Sequence, residues 1–486
     1  MNNVRVFEAF SGYGSQDLKL TYDEINHTSA GIAEIEPDAI VAYASIRFNL
    51  DNYFEYPSIE IMKEELIKAN VGYDFKKSKS KIPRMNDKKL HQLYKAHILS
   101  KNFGDISRVD PYQLPDHDLF TYSFPCTDIS LAGKQQGFKE GSGTSSSLLW
   151  ECRKVITVKR PKILMMENVE PLVQSKHIKD FNKWLAELFD LGYNNYWQVV
   201  DASERGVPQS RKRVFAVSIL RDYDKGTFKF PKKIPLTTRL IDLCNDNVDE
   251  KYYISTDKCE RLLSELQSGQ ERHKIVVKEA TTKGYDIANI GDSINIGQPN
   301  SKIRRGRVGK QVANTITTQN ELCVVEPKLV CVGEVNINAK DQCKRVYNPG
   351  GVAPTLTTMQ GGYQEPKILT CGNINPSGNG INGEVINSKG LSKTITTNKG
   401  EGPKVLFNYR IRKLTPTECL RLMGVKDKDI NSMIDAGLSN SALYKLAGNS
   451  IVTNSMDFLK SAIKSTSDKK VEQVKKTGLY QQLSMF

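Results

Sequence analysis

A cysteine stands at the end of an apolar run that is typical of a buried strand. Cys126 follows DLFTYSF (118–124) and a proline, and a small polar stretch comes after it. A free cysteine is often buried as a small apolar side chain. It acts as a nucleophile where its surroundings stabilise the thiolate and a partner acid lies close by. This position alone favours the packing role, so other residues must supply a reason to prefer catalysis.

Two further patterns offer partners for such a thiol. Glu167 ends the apolar run ILMMENV, where burial would raise the pKa of the carboxyl and let it share a proton. Its alternative role is to cap the next turn. Arg211 and Arg213 alternate in QSRKRVF, so a strand would turn both to one side, as phosphate or base recognition requires. Their alternative role is surface solubility.

The first third of the chain has the features of a nucleoside site. FSGYGS (10–15) follows a predicted strand but lacks the third glycine of a dinucleotide fingerprint, which disfavours an NAD oxidoreductase. Glu34 ends the next strand and could accept hydrogen bonds from both ribose hydroxyls. Asp105, in GDISRV, could accept one from an adenine amino group. A nucleoside site without a phosphate cradle suits S-adenosyl-L-methionine better than NAD.

Strands that alternate with helices predict an α/β fold with a doubly wound, mostly parallel sheet. Helical sequence returns near the C-terminus, where Thr415 and Glu418 form a possible capping box around Pro416. The predicted strands are 4–10, 30–36, 116–124, 161–169, 195–203 and 213–220, and the predicted helices are 37–48, 147–158, 181–193, 414–425 and 439–463.

The composition changes near Phe230 and indicates a second domain. Beyond a linker, the chain becomes rich in Gly, Asn, Thr and Val, and a Thr-rich strand pattern recurs at Thr317, Thr357 and Thr396. Repeats of this kind predict a smaller, strand-rich module. The predicted parts are an α/β domain over 1–235, a strand-rich domain over 236–405, a return to the α/β domain over 406–463, and a polar basic tail over 464–486.

Bulk composition favours a polyanion partner. The 486 residues carry 69 Lys and Arg against 55 Asp and Glu, a net charge of +14, which indicates nucleic acid before membrane. The nine cysteines contain no CxxC pair and do not cluster with the six histidines, which argues against zinc and against disulfides. No signal peptide or apolar span is evident, so a cytoplasmic protein is expected.

The motifs, in their order, resemble those of the bacterial and phage C5-cytosine DNA methyltransferases of restriction-modification systems. The resemblance covers nearly the whole chain and makes Cys126 the expected nucleophile. The motifs that carry it are FSGYGS, AEIE, GDISRV, SFPCTDIS, MMENV, PQSRKRVF, YRIRKLTPTECLRLMG and LAGNSIV.

The resemblance implies a mechanism on an extruded cytosine. Cys126 would attack C6, and the activated C5 would take the methyl group of S-adenosyl-L-methionine, with no metal involved. Glu167 would hold N3 and the exocyclic amine. Arg213 would hold the base from its O2 side, and Arg211 would fix the loop or the backbone.

The resemblance also assigns the cofactor site. Glu34 would bind the ribose, Ile35 would pack on the adenine, and Asp105 and Ile106 would meet the adenine edge. The residues implied around the methionine end are Phe10, Ser11, Gly12, Tyr13 and Gly14.

Other implied contacts lie on the returning helix and on the DNA side. Asn449 and Ser450 would close the cofactor pocket, and residues 127–144 would form the loop that closes over DNA. Thr127 stands where the family usually has glutamine. The residues implied to contact DNA are Thr127, Ser130 and Gln209.

The expected partner is double-stranded DNA, with the protein a monomer and a cognate restriction endonuclease left open. An RNA cytosine methyltransferase of the same fold is the main alternative, and the large region between Arg213 and Tyr409 disfavours it. A non-catalytic DNA-binding protein would be expected to lack Cys126 or Glu167. The basic insertion over 70–100 is interpreted as a solvated face or loop, with DNA contact as its alternative.

Overall fold

Apolar runs that are buried on both faces form the central strands of a six-stranded sheet. Five strands of the computed structural model run in one direction, because β1 pairs in parallel with β2 and β5, and β5 with β6, while β9 runs antiparallel between β6 and β7. In spatial order the strands are β2 (His27–Ala33), β1 (Val4–Ala9), β5 (Leu119–Tyr122), β6 (Ile163–Val169), β9 (Lys212–Leu220) and β7 (Tyr193–Asp201).

The structure describes residues 3–75, 77–125, 148–245, 247–252, 275–298, 301–318, 321–327, 331–334, 345–347, 367–368, 385–387, 404–406 and 409–471. The chain divides into two units. The first comprises Met1–Leu243, Thr315–Asn320 and Thr415–Phe486, and the second comprises Cys244–Asn314 and Glu321–Leu414.

Helices surround the sheet of the first unit. The short strands of this unit are β3 (Tyr73–Asp74), β4 (Lys79–Ser80) and β8 (Gln209–Ser210). The helices are α1 (Ser15–Tyr22), α2 (Pro37–Arg47), α3 (Ile59–Lys68), α4 (Asp87–Leu99), α5 (Leu149–Lys159), α6 (Ile178–Asp190), α7 (Pro416–Arg421), α8 (Asp427–Asp435), α9 (Asn440–Asn449) and α10 (Leu459–Ser465).

Successive residues of the central strands are buried on opposite faces of the sheet. Phe120 joins a cluster with Trp150 of α5 and Trp184 of α6, whereas its neighbour Leu119 joins a cluster with Leu459 of α10. Such covering of both faces is what a mostly parallel sheet requires. The predicted doubly wound α/β fold is therefore confirmed.

The insertion after β2 is more ordered than the charge pattern indicated. Residues 87–99 form helix α4, and Leu90 and Leu93 on its inner face pack with Ile40 of α2 and Met62 of α3. The lysines of this segment obscured an apolar stripe with helical spacing. The insertion, interpreted as a solvated face or loop, is therefore a helix over α4, whose Lys88 and Lys89 lie on a solvent-exposed face.

The chain returns to the first unit through a capped helix. Thr415 Oγ1 accepts a hydrogen bond from the Glu418 amide, and the Glu418 carboxylate accepts one from the Thr415 amide. The predicted capping box is therefore confirmed, and it begins α7 at Pro416. Helix α9 ends at Asn449, inside the GNS sequence that was expected to break the helix.

The second unit is built from strands. Four of them form an antiparallel sheet in the order β13-β12-β15-β21, whose core includes Ile294, Cys323 and Val325. This confirms the smaller strand-rich domain, although the repeats around Thr357 and Thr396 lie outside the described residues. Its strands are β10 (Ile275–Lys278), β11 (Tyr285–Ala288), β12 (Ser293–Asn295), β13 (Val308–Gly309), β14 (Ala313–Asn314), β15 (Leu322–Pro327), β16 (Cys331–Glu334), β17 (Arg345–Tyr347), β18 (Lys367–Ile368), β19 (Val385–Asn387), β20 (Lys404–Leu406) and β21 (Tyr409–Lys413).

No helix among the described residues has the length and apolar character needed to cross a membrane.

A cluster of buried charged side chains lies beside strand β1. Glu8 of β1 is fully buried, and its carboxylate accepts a hydrogen bond of 3.0 Å from the Tyr43 hydroxyl. Asp17 bridges Arg47, at 2.7 Å, and His27, at 3.0 Å. Burial raises the pKa of Glu8 to about 7, with the Asp17 charge adding to the effect and Arg47 opposing it.

The raised pKa of Glu8 predicts that the free energy of unfolding depends on pH. Between the ordinary carboxyl pKa of 4.5 and about 7, folded Glu8 holds a proton that the unfolded chain releases, so stability falls as pH rises through that window. The Glu8→Gln substitution removes this pH dependence. The unfolding free energy of the wild type relative to Glu8→Gln should decrease by about 1.4 kcal/mol per pH unit in urea titrations from pH 5 to 7.

The control is Glu64→Gln, which changes an exposed carboxyl on α3. Its pH profile should follow that of the wild type. Profiles for wild type and Glu8→Gln that stay parallel across the window would show that Glu8 does not titrate there.

Candidate active site

A cleft of about 850 Å³ opens at the carboxyl ends of the parallel strands β1, β2, β5 and β6 in the first unit. Ligand sites of open α/β sheets form at this edge because the loops that follow the strands converge there. Predicted site residues from six separate segments meet in it. Those that line the cleft are Phe10, Gly12, Glu34, Ile35, Asp105, Ile106, Glu167, Arg211, Arg213, Asn449 and Ser450.

The carboxylate of Glu34 is held by backbone donors. It accepts hydrogen bonds from the amides of Gly12, at 2.9 Å, and of Ile35 and Glu36, both at 2.8 Å. Burial raises the pKa of Glu34, and the three amides oppose that rise. A carboxylate has about four acceptor positions, so about one remains for a ligand.

Asp105 is fixed in a similar way on the neighbouring loop. Its carboxylate accepts hydrogen bonds from the side-chain amide of Asn70, at 2.6 Å, from the Ser107 amide, at 3.0 Å, and from the Ser107 hydroxyl, at 2.8 Å. Its own amide donates to the Ala69 carbonyl at 2.9 Å. The insertion therefore positions this acid, which the motif GDISRV alone could not indicate.

Asn102 joins the two acid-bearing loops. Its Oδ1 accepts hydrogen bonds from the amides of Glu34 and Gly104, both at 3.0 Å, and its Nδ2 donates to the Glu34 carbonyl at 2.9 Å. Sequence reasoning missed this residue. The only signal was a polar residue just before the GDISRV motif, and that signal is weak.

The opposite end of the cleft holds an ion pair. Arg213 Nε lies 3.1 Å from Glu167 Oε1, and both side chains are largely buried. Burial raises the pKa of Glu167, and the charges of Arg213 and Arg211 oppose that rise. The site therefore contains a desolvated carboxyl beside a guanidinium, at the end of strand β6.

Arg211 connects three segments that are distant in sequence. It lies between β8 and β9, and its guanidinium donates to the carbonyls of Ile316, at 3.0 Å, Gly448, at 3.1 Å, and Ser450, at 2.7 Å. These bonds bring the end of α9 to the cleft. Across the mouth, Lys445 of α9 lies 2.8 Å from the carboxylate of Glu36.

Three residues predicted at the methionine end do not line the cleft. Ser11, Tyr13 and Gly14 are buried behind the loop, where Arg47 donates to the carbonyls of Tyr13, at 3.0 Å, and Gly14, at 2.8 Å. The Tyr13 ring packs into the interior. In this structure the three residues therefore pack behind the loop, and their contact with the cofactor stays a prediction.

Gln209 is also placed differently from its prediction. Its side chain is fully buried, and it donates to the Leu422 carbonyl at 2.6 Å while it accepts from the Ile316 amide at 3.2 Å. A side chain with no exposed surface cannot contact DNA in this structure. The expected DNA contact is corrected to a packing contact.

The predicted nucleophile lies outside the described residues. Cys126, Thr127 and Ser130 belong to the segment 126–147, and the residues on either side of it, Pro125 and Leu148, both line the cleft. Within the described ranges, no cluster of three or more His, Cys, Asp or Glu side chains could hold a metal ion.

A doubly wound sheet with a polar cleft at the carboxyl ends of its parallel strands defines an α/β enzyme. The chain belongs to the family described as C-5 cytosine-specific DNA methylase, whose model matches residues 69–465. It is a DNA (cytosine-5)-methyltransferase, as the motif resemblance indicated.

Relatives of this family share sequence with much of the chain. The type II methyltransferase M2.ScrFI of Lactococcus lactis subsp. cremoris is 47% identical over 52% of this chain and 71% of its own length. The orphan methyltransferase M.Rho11sI of Bacillus phage rho11s is 29% identical over 94% and 97%. The orphan methyltransferase M.SssI of Spiroplasma monobiae is 35% identical over 59% and 75%.

The packing of the Asp105 loop predicts that a methyl group at Gly104 lowers the free energy of unfolding. Gly104 has a φ of +74°, and a Cβ there would lie 2.0 Å from the Ala69 carbonyl oxygen. Gly437 has a φ of +77° with nothing within 4 Å of a Cβ, so Gly437→Ala measures the conformational cost alone. We expect that variant to lose about 1–2 kcal/mol.

Gly104→Ala should lose roughly 2 kcal/mol more than Gly437→Ala, because the Ala69 backbone must move. Urea unfolding of both variants measures the difference. Equal losses would show that the loop and the insertion are not tightly packed against each other.

Proposed function

We propose that the enzyme transfers a methyl group from S-adenosyl-L-methionine to C5 of a cytosine flipped out of duplex DNA, through a covalent bond between Cys126 and C6. The observation that carries this proposal is the single cleft that combines two nucleoside-binding acids, Glu34 and Asp105, with the Glu167–Arg213 pair. Pro125, the residue before the nucleophile, borders the same cleft.

The charges of the cleft fit this cofactor. Its lining carries the carboxylates of Glu34, Glu36 and Asp105 on loops and of Asp38 at the start of α2, and the Gly12 amide is used by Glu34. Such a lining repels the pyrophosphate of a dinucleotide and suits a nucleoside joined to a cationic sulfonium. When bound, the cofactor supplies an electrophilic methyl group.

The residues that would hold the cofactor follow from the acceptors left unused. Glu34 and Asp105 each retain about one acceptor position, for a ribose hydroxyl and for the adenine amino group respectively. This modifies the sequence-based expectation that Glu34 binds both ribose hydroxyls. Ile35 and Ile106 offer apolar surface to the adenine, and Asn449 and Ser450 close the far wall.

Cys126 would begin the reaction on the base. Cytosine C5 is a weak nucleophile, and addition of the thiolate to C6 converts C5 into an enamine-like carbon. After methylation, C5 loses its proton to a base and the thiolate leaves C6, which restores the aromatic ring. The cytosine edge is inaccessible within a duplex, so the base must leave the stack.

Glu167 and Arg213 would stabilise charge during the addition. A carboxyl whose pKa is raised by burial can hold a proton at N3 as the ring gains electrons, and it can accept a hydrogen bond from the exocyclic amine. Arg213 stays close to Glu167 and can contact the O2 side of the base. Arg211 would hold the backbone of the cleft wall in place through its hydrogen bonds to three carbonyls.

We further propose that the second unit reads the target sequence. Support comes from its separate fold, from its position in the chain between β9 and α7, and from its basic segment KIRRGRVGK (302–310), which holds five arginines and lysines. Cationic side chains of this kind contact phosphates and base edges. The relatives' names include orphan and type II enzymes, so the proposal includes no partner endonuclease.

The nucleophile predicts both a loss of activity and a trapped complex. Cys126→Ser should abolish methylation, measured by bisulfite sequencing of DNA from expressing cells, because a serine hydroxyl stays protonated. With cofactor and a duplex that carries 5-fluorocytosine at the target, the wild type should form a stable adduct, since the C5 proton that must leave is replaced by fluorine.

Cys244→Ser is the control, because it removes another cysteine and should leave trapping intact. Peptide mass spectrometry locates the adduct. An adduct on any residue other than Cys126, or one formed by Cys126→Ser, would refute the mechanism.

Removing the charge of Glu167 should affect catalysis more than binding. Glu167→Gln should lower kcat by roughly a hundredfold or more, because an amide cannot deliver a proton to N3. DNA affinity should change little.

The matched control is Glu170→Gln, which alters an acid three residues further on that contacts Lys212 and does not line the cleft. Its kcat should stay near the wild-type value. A Glu167→Gln rate within tenfold of the wild type would exclude the proposed proton transfer, since that corresponds to less than about 1.4 kcal/mol of barrier.

A further inference from the structure

Phe75 is an aromatic side chain of the cleft that none of the family motifs contains. It follows β3 in the turn of the β3–β4 hairpin, and its ring lines the same cleft as Glu34, Ile35 and Asp105. The side chain is 60% exposed and meets Tyr73 edge-to-face at 5.0 Å. An aromatic face presented to a nucleoside site is suited to stacking on a base or covering a ribose.

The segment before Phe75 is bonded to both of the loops that carry the adenosine contacts. The Gly72 amide donates to the Ile35 carbonyl at 2.7 Å, and the Asp105 amide donates to the Ala69 carbonyl at 2.9 Å. Asn70 adds the bond of 2.6 Å to the Asp105 carboxylate. The position of the hairpin is therefore set by the cofactor loops themselves.

The base of the hairpin is also fixed. The Lys81 amide donates to the Gly72 carbonyl at 3.0 Å, and Ile82 is buried in the core formed by α2, α3 and α4. Phe75 thus extends from an anchored turn. Its exposure is not explained by a need for packing, because the core of the insertion is complete without it.

We propose that Phe75 binds the nucleoside of the cofactor, so that the insertion forms one wall of the cofactor site. This rests on the proposed use of S-adenosyl-L-methionine. Ile35 and Ile106 offer contacts to the adenine from two segments of the chain, and Phe75 would add a contact from a third segment, the insertion. The lysines of the insertion then lie on its solvent-exposed face. The competing role for the hairpin is contact with DNA.

The test is the binding of two ligands to the full-length protein by isothermal titration calorimetry. S-Adenosyl-L-homocysteine contains the whole nucleoside and the amino acid, and 5′-methylthioadenosine contains the nucleoside without the amino acid. Phe75→Ala should weaken both by a similar factor of about ten, as loss of one stacking contact predicts. Phe75→Tyr, which keeps the ring, should bind both within about twofold of the wild type.

Tyr53→Ala is the matched control, because Tyr53 is 92% exposed, precedes the same insertion and does not line the cleft. It should bind both ligands like the wild type. Melting temperatures without ligand should be similar for all variants. In steady-state assays, Phe75→Ala should raise the KM for S-adenosyl-L-methionine and leave kcat nearly unchanged, since the reacting methyl group lies at the other end of the cofactor.

The outcomes separate this inference from the proposed function. Wild-type binding of both ligands together with unchanged affinities in Phe75→Ala would overturn the role of Phe75 and leave the cofactor proposal standing. A loss for S-adenosyl-L-homocysteine without a loss for 5′-methylthioadenosine would also overturn it. A loss of DNA affinity with unchanged ligand affinity would favour the competing role. Failure of the wild type to bind either ligand would refute the cofactor proposal itself.

Discussion

The buried guanidinium of Arg211 is the contact on which the shape of the cleft depends. Its bonds to the carbonyls of Ile316, Gly448 and Ser450 join the segment before β9, the segment 315–320 and the end of α9. A buried cation is costly unless its donors are satisfied, and these carbonyls satisfy several of them. The same charge opposes the rise in the pKa of Glu167, so one residue couples the architecture of the wall to the chemistry of the site.

Carboxylates at the two ends of the cleft are controlled by different means. Glu34 and Asp105 are fixed by neutral donors, mainly backbone and side-chain amides, which leave each carboxylate about one acceptor position. Glu167 instead faces Arg213 and Arg211, whose charges oppose the rise of its pKa on burial. The three acids of one cleft can therefore take the different roles proposed for them, cofactor binding and proton transfer, because their surroundings differ.

The sequence predicted the parts of the fold that depend on local pattern. The apolar runs of β1, β5 and β6 and the capping box at Thr415 are short-range properties, and the structure contains both the buried strands and the capped helix. The burial of Gln209 and Tyr13 could not be predicted, because it depends on partners such as Leu422 and Arg47 that lie far away in the chain. A motif gives the type of residue at a site and leaves open which way the side chain points.

The same limit applies to contacts made by inserted segments. Phe75 lines the cleft and Asn70 bonds Asp105 because the insertion is anchored on α2 through an apolar face that lysines conceal in the sequence. Long insertions are tolerated when their ends remain close together, since the entropy of closing a loop grows slowly with its length. The two large additions to this chain join β2 to β5 and β9 to α7. In the function proposed above, the first addition forms a wall of the cofactor site and the second reads the DNA sequence, while the central sheet keeps the cleft at the carboxyl ends of its strands.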